Sequence, residues 1–149
     1  MALSRNIDKV LLTGTVSDSH TWNLVFLQLF IEEQGLAVVN LGPCVPEELL
    51  VARCRAEAPD LVVVSSVNGH GCADGLAAIA ALRAAPDLAG LPVVIGGKLG
   101  LDGRDDADRV TRLRDAGFDA VFDDGDLIAF ERFLTALAVG PSAAAGRTA

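Results

Sequence analysis

The stretch Ser17-Asp18-Ser19-His20-Thr21-Trp22-Asn23 puts a carboxylate and an imidazole two residues apart. At that spacing Asp18 and His20 can touch. A histidine that holds a metal through one ring nitrogen is usually oriented by an acceptor on the other, which fixes its tautomer and raises the basicity of the coordinating nitrogen. The same triplet also suits an ordinary loop in which Asp18 caps the next helix and His20 is solvated.

Two further clusters could meet a ligand, Ser65-Ser66-Val67-Asn68-Gly69-His70-Gly71 and Gly96-Gly97-Lys98-Leu99-Gly100. Glycines let a flat group lie against bare backbone, and serines offer hydroxyl hydrogen bonds. Each cluster alone would serve as a turn in any α/β protein, and the lone His70 reads equally as a plain loop residue. No G-x-G-x-x-G and no G-x-x-x-x-G-K-[ST] follows the first apolar run, which argues against dinucleotide and nucleoside triphosphate binding.

These clusters need elements to hold them. Five short apolar runs, 10–14, 37–41, 61–65, 93–95 and 120–122, alternate with helical segments at 23–34, 46–58, 72–84, 107–116 and 126–138. That βα alternation predicts a parallel sheet. The run Leu-Val-Val-Val at 61–64 lacks polar alternation, as a central strand covered on both faces would. Pro46 suits a first helical turn, Glu47 and Glu48 favour its dipole, and Gly117 fits a C-terminal cap. A flavodoxin-like, doubly wound five-stranded sheet in the order 2-1-3-4-5 would place a ligand crevice at the carboxyl ends of strands one and three. The helix after His20 has hardly any polar face before Glu32, so one side can cover the sheet while the rest meets a large ligand or another chain.

Composition sets the outer bounds. The chain of 149 residues suits one domain, read as 1–139, and a Pro/Ser/Ala/Gly-rich stretch at 140–149 reads as a disordered tail. No apolar run is long enough to span a bilayer and no secretory signal is evident, so a cytoplasmic location is expected. Cys44, Cys54 and Cys72 form no C-x-x-C pair, which suggests reduced thiols rather than disulfides or a zinc site. A net charge of -8 without a Lys/Arg cluster gives no footprint for nucleic acid or an anionic membrane.

Taken together, the three clusters resemble the cobalamin-binding domain family, whose pattern D-x-H-x-x-G, S-x-L and GG stands here as 18–23, Ser65-Ser66-Val67 and Gly96-Gly97. The resemblance covers roughly residues 9–138. Val39-Asn40-Leu41-Gly42, Pro46-Glu47-Glu48-Leu49 and Val64 to Gly71 look most like the small subunits of glutamate mutase, also called methylaspartate mutase. The chain departs from the pattern at Asn23, where the family has Gly, and at Val67, where it has Leu. Asn is among the non-glycine residues that best tolerate positive φ, so a left-handed backbone could survive that change.

The resemblance implies that His20 is the lower axial ligand to cobalt, replacing the dimethylbenzimidazole of the corrinoid, with Asp18 hydrogen-bonded behind it. The displaced nucleotide tail would enter a slot bordered by Ser65, Val67, Gly96 and Gly97, with Ser65 hydrogen-bonding the base. Ser17, Ser19, Thr21, Trp22, Asn23 and Gly69 are further expected cofactor neighbours, and no catalytic residue is expected. The implied cofactor is adenosylcobalamin. The implied role is the cobalamin-binding component of a radical carbon-skeleton mutase, L-glutamate to threo-3-methylaspartate first. A large barrel-shaped catalytic subunit would be its partner in a heterotetramer, docking on loops at 43–45, 68–72 and 98–103. A corrinoid carrier or cobalamin-responsive regulatory module is the alternative, and a cofactor-free receiver-like domain a third reading.

Overall fold

A computed structural model describes residues 7–99, 106–123 and 126–139. Strands β1 (Lys9–Gly14), β2 (Ala37–Asn40), β3 (Leu61–Ser66), β4 (Val93–Gly97) and β5 (Ala120–Asp123) form one parallel sheet in the order β2-β1-β3-β4-β5. Helices α1 (Thr21–Glu32), α2 (Glu47–Glu57), α3 (Gly71–Ala84), α4 (Asp106–Ala116) and α5 (Leu127–Val139) make the crossovers. The doubly wound, flavodoxin-like architecture expected from the sequence is therefore present. The expected tail at 140–149 and the rim residues 100–103 lie outside the described residues.

The alternation of side chains along each strand sorts the core into two layers. Val10, Leu12, Leu61, Val63 and Val94 face α1 and α5, where Leu24, Leu27, Ile31, Phe130 and Leu134 meet them. Leu11, Val62, Val64 and Ile95 face α2, α3 and α4. Every residue of β3 is buried, as its unbroken apolar run requires of a strand covered on both sides. Among the described residues no helix is long and apolar enough to cross a membrane.

Two local expectations shift, and one element is added. Helix α1 starts at Thr21, two residues before the expected position and directly after His20. Pro46 is the residue preceding α2, extended at ψ 155°, rather than part of its first turn. A short 3-10 helix, Pro86–Leu88, follows α3. Gly117 does close α4, with φ +131° and its N–H donating to Arg114 O at 3.0 Å.

Candidate functional site

The loop between β1 and α1 is organised by one buried carboxylate. Asp18 Oδ1 accepts the His20 backbone N–H at 2.9 Å and lies 2.6 Å from His20 Nδ1, while Oδ2 accepts the Val67 N–H at 2.6 Å. The carboxylate therefore ties the loop after β1 to the loop after β3. Burial works to raise the Asp18 carboxyl, but the backbone N–H groups of His20 and Val67 and the His20 ring together hold it below the usual carboxylate value. Asp18 does not cap α1: His20 is the N-cap residue and has no side-chain capping bond.

The pairing leaves the imidazole ready for a ligand. Asp18 has 4% of its side chain exposed and His20 has 55%. With Nδ1 held by the carboxylate, Nε2 has no hydrogen-bond partner among the described residues. A fixed tautomer with one open nitrogen is what a metal-ligating histidine needs.

A slot of about 250 Å³, lined by Asn23 and by the Asp18-held Val67 but not by His20 itself, runs between the sheet and two helices. Its floor is Val63, Ser65, Val94 and Gly96, all on one face of β3 and β4. Phe26 and Leu27 of α1 form one wall, and Leu127 and Phe130 of α5, with Phe122 of β5, form the other. The parallel register sets Ser65 opposite Gly96 and Gly96 opposite Phe122. Because β5 follows β4 in the sheet, Phe122 reaches a site that opens above β3.

The two glycines have different duties. A Cβ on Gly96 would come within 3.3 Å of Phe122 and stand on the slot floor. One on Gly97 would lie 2.0 Å from the Ser66 carbonyl oxygen, and the residue has φ +113°. Gly97 is thus required by the sheet itself, whereas Gly96 keeps the floor open.

Asn23 stands in the first turn of α1 rather than in a left-handed backbone, so its tolerance of positive φ has no bearing here; among the described non-glycine residues only Cys44 and Ala58 have positive φ. Its Nδ2 donates to Ser65 Oγ at 2.7 Å across the slot wall. The Val67 side chain lines the slot, and its N–H is the one held by Asp18.

Other expected neighbours are placed close by without entering the slot. Ser17 is bound by Asn68, whose Nδ2 donates to the Ser17 carbonyl and Oγ at 3.1 Å each, and its hydroxyl donates to Asp74. Ser19 and Thr21 are exposed beside His20, and Trp22 is 82% exposed. Gly69, at φ +88°, donates its N–H to Lys98 O at 3.2 Å and so joins the loops after β3 and β4. His70 precedes α3 and borders a separate depression with Cys72 and Arg109.

Sequence reasoning missed Phe122, Leu127 and Phe130. Their only signal was the apolar pattern near the C-terminal end, which strand order alone could connect to the slot.

Comparison with known proteins gives the family. Residues 8–131 match the B12 binding domain. The chain belongs to the B12-binding domain family. Among curated relatives, glutamate mutase sigma subunit 1 of Haloarcula marismortui is 31% identical over 72% of this chain and 70% of its own. The glutamate mutase sigma subunit of Escherichia coli O157:H7 is 30% identical over 71% of this chain and 70% of its own.

Solved structures support the fold. A cobalamin-binding protein from Desulfitobacterium hafniense superposes with a TM-score of 0.66 at 22% identity, over 85% of this chain and 58% of that one. This B12-binding chain thus spans little more than half of that protein. A receiver domain from Colwellia psychrerythraea shares the same TM-score at 16% identity, over 87% of this chain and 97% of that one. The flavodoxin-like framework is common to both, so the ligand must be argued from the site.

Proposed function

We propose that this chain is the cofactor-carrying component of an adenosylcobalamin-dependent carbon-skeleton mutase, with interconversion of L-glutamate and threo-3-methylaspartate as its reaction. The observation that carries the reading is His20, fixed through Nδ1 by Asp18 and open at Nε2, with the same carboxylate holding Val67 at the edge of a slot floored by Gly96. The residues present suit a corrinoid bound with its own base displaced. His20 Nε2 would hold the cobalt, and the slot would take the nucleotide tail, with Ser65 as a hydroxyl partner for the base.

When bound, the cofactor supplies radical chemistry by homolysis of its cobalt–carbon bond. The chain contributes orientation. Asp18 keeps the imidazole in one tautomer, and its second oxygen holds the Val67 loop against the histidine loop. The apolar walls of α1 and α5 exclude water from the tail. With the tail in this slot, the substrate would need a site elsewhere. A partner of the kind implied by the sigma-subunit relatives would supply that site and cover the reactive face of the corrinoid, most simply in a heterotetramer with a large catalytic subunit.

The test is a visible-spectrum titration of the full chain with cobalamin. Wild type should give the histidine-ligated, base-displaced spectrum, and His20→Ala should not. No spectral change in wild type, or an unchanged one in His20→Ala, would reject cobalt ligation by His20.

A further inference from the structure

The contact between Asn23 and Ser65 leaves hydrogen-bonding capacity unused. A carboxamide has two N–H donors and a carbonyl acceptor, and a hydroxyl has one donor and two lone pairs. With Nδ2 donating to Ser65 Oγ, the hydroxyl proton is free to donate and Asn23 Oδ1 is free to accept. With the amide turned over, Ser65 would donate to Oδ1, leaving its own oxygen to accept and Nδ2 to donate. Either orientation presents at least one donor and one acceptor side by side. Neither side chain has a second hydrogen bond among the described residues.

This polar pair is set in a slot whose other surfaces are largely apolar, including Phe26, Val67, Val94 and Phe122. A ligand that fills the slot must satisfy the pair or leave a desolvated polar group, which is costly. The dimethylbenzimidazole edge offers a single ring-nitrogen acceptor and otherwise carbon. An aminopurine offers a ring-nitrogen acceptor adjacent to an exocyclic N–H donor, which the hydroxyl and the carboxamide together can match.

We propose that Asn23 and Ser65 form a specificity pair that favours corrinoids whose nucleotide tail ends in an aminopurine over those ending in dimethylbenzimidazole. The inference rests on the slot being the tail site. Asn23 is a selecting residue for the ligand, and it leaves cobalt ligation to His20.

The experiment compares dissociation constants of the full chain for the adenine-tailed corrinoid and for cobalamin, read from the histidine-ligated spectrum. Wild type should favour the adenine tail by about tenfold, the scale of one net hydrogen bond. Asn23→Leu keeps comparable bulk without hydrogen bonds, and Asn23→Ala removes both. Thermal unfolding reports whether each variant is folded, and the alanine variant carries the comparison if leucine is not accommodated. The preference should disappear in the folded variants. Equal affinities in wild type would overturn the inference while leaving the tail site intact. A preference retained in Asn23→Leu would also overturn it, because bulk would then be the cause. Absence of a histidine-ligated spectrum with either corrinoid would instead reject the tail site, and this inference with it.

Discussion

Gly97 sits against the backbone of Ser66 so closely that a Cβ on it would lie 2.0 Å from the Ser66 carbonyl oxygen. Its φ of +113° adds a second obstacle to any side chain. Gly97→Ala should therefore destabilise the fold, by about 1–3 kcal/mol from backbone strain alone and more from the clash. Gly96→Ala meets Phe122 at 3.3 Å and needs only a small shift, so it should fold nearly normally and weaken corrinoid binding by narrowing the slot. Thermal unfolding and spectral titration of the two variants separate these effects. Equal loss of stability in both would contradict the different duties assigned to them.

Asp18 should matter to affinity and to stability together. Asp18→Asn retains one acceptor oxygen where the carboxylate serves two backbone N–H groups and the His20 ring. Loss of one buried acceptor should cost about 1–3 kcal/mol of stability. Corrinoid affinity should fall on the order of 10–100-fold, as is typical when a partner of a ligating histidine is altered. Denaturant unfolding and cobalamin titration check both values. Unchanged affinity would reduce Asp18 to a loop fastener.

The cysteines should react in order of exposure. Cys44 is exposed, whereas Cys54 is 1% exposed and burial pushes its thiol up to about 11. Under native conditions at neutral pH a thiol reagent should label Cys44 rapidly and spare Cys54 until unfolding. The linkage has a definite sign: from about pH 9, the ordinary thiol value, the unfolded chain loses this proton while the folded chain keeps it. The Cys54 contribution to stability should thus fall between about pH 9 and 11, and Cys54→Ala should lack that component in a pH series of denaturant unfolding.

Cofactor and partner should bind cooperatively if a second subunit covers the corrinoid. The loops that would meet it are already tied to the site. Cys44 N–H donates to Asp18 O at 3.0 Å, and Cys72 N–H donates to Leu99 O at 2.9 Å. Thermodynamic reciprocity then requires the partner to tighten cobalamin binding by the factor with which cobalamin tightens the complex. Titrations of cobalamin with and without a cognate large subunit measure this directly. Equal affinities would favour a carrier or regulatory role.

The sequence by itself determined the architecture and the chemical residues. Five β-branched or Leu-rich runs separated by helical segments specify a parallel sheet, because each strand must be covered on both faces and each crossover needs a helix. Asp18 and His20 are two residues apart, so their contact is local and legible, and the Ser65 and Gly96 clusters follow their strands in plain order. What only the tertiary structure decided depends on pairs distant in the chain. The closure of the slot by Phe122, Leu127 and Phe130 follows from β5 lying beside β4. The difference between Gly96 and Gly97 comes from backbone conformation: the positive φ of Gly97 would aim a Cβ at the carbonyl of its register partner Ser66, while Gly96 would set one against Phe122 on the slot floor. Asn23 looked like a backbone substitution for glycine, yet it lies in a helix and its amide reaches Ser65, 42 residues away. Local spacing encodes which groups can touch along one segment; register and packing decide which groups from separate segments share a wall.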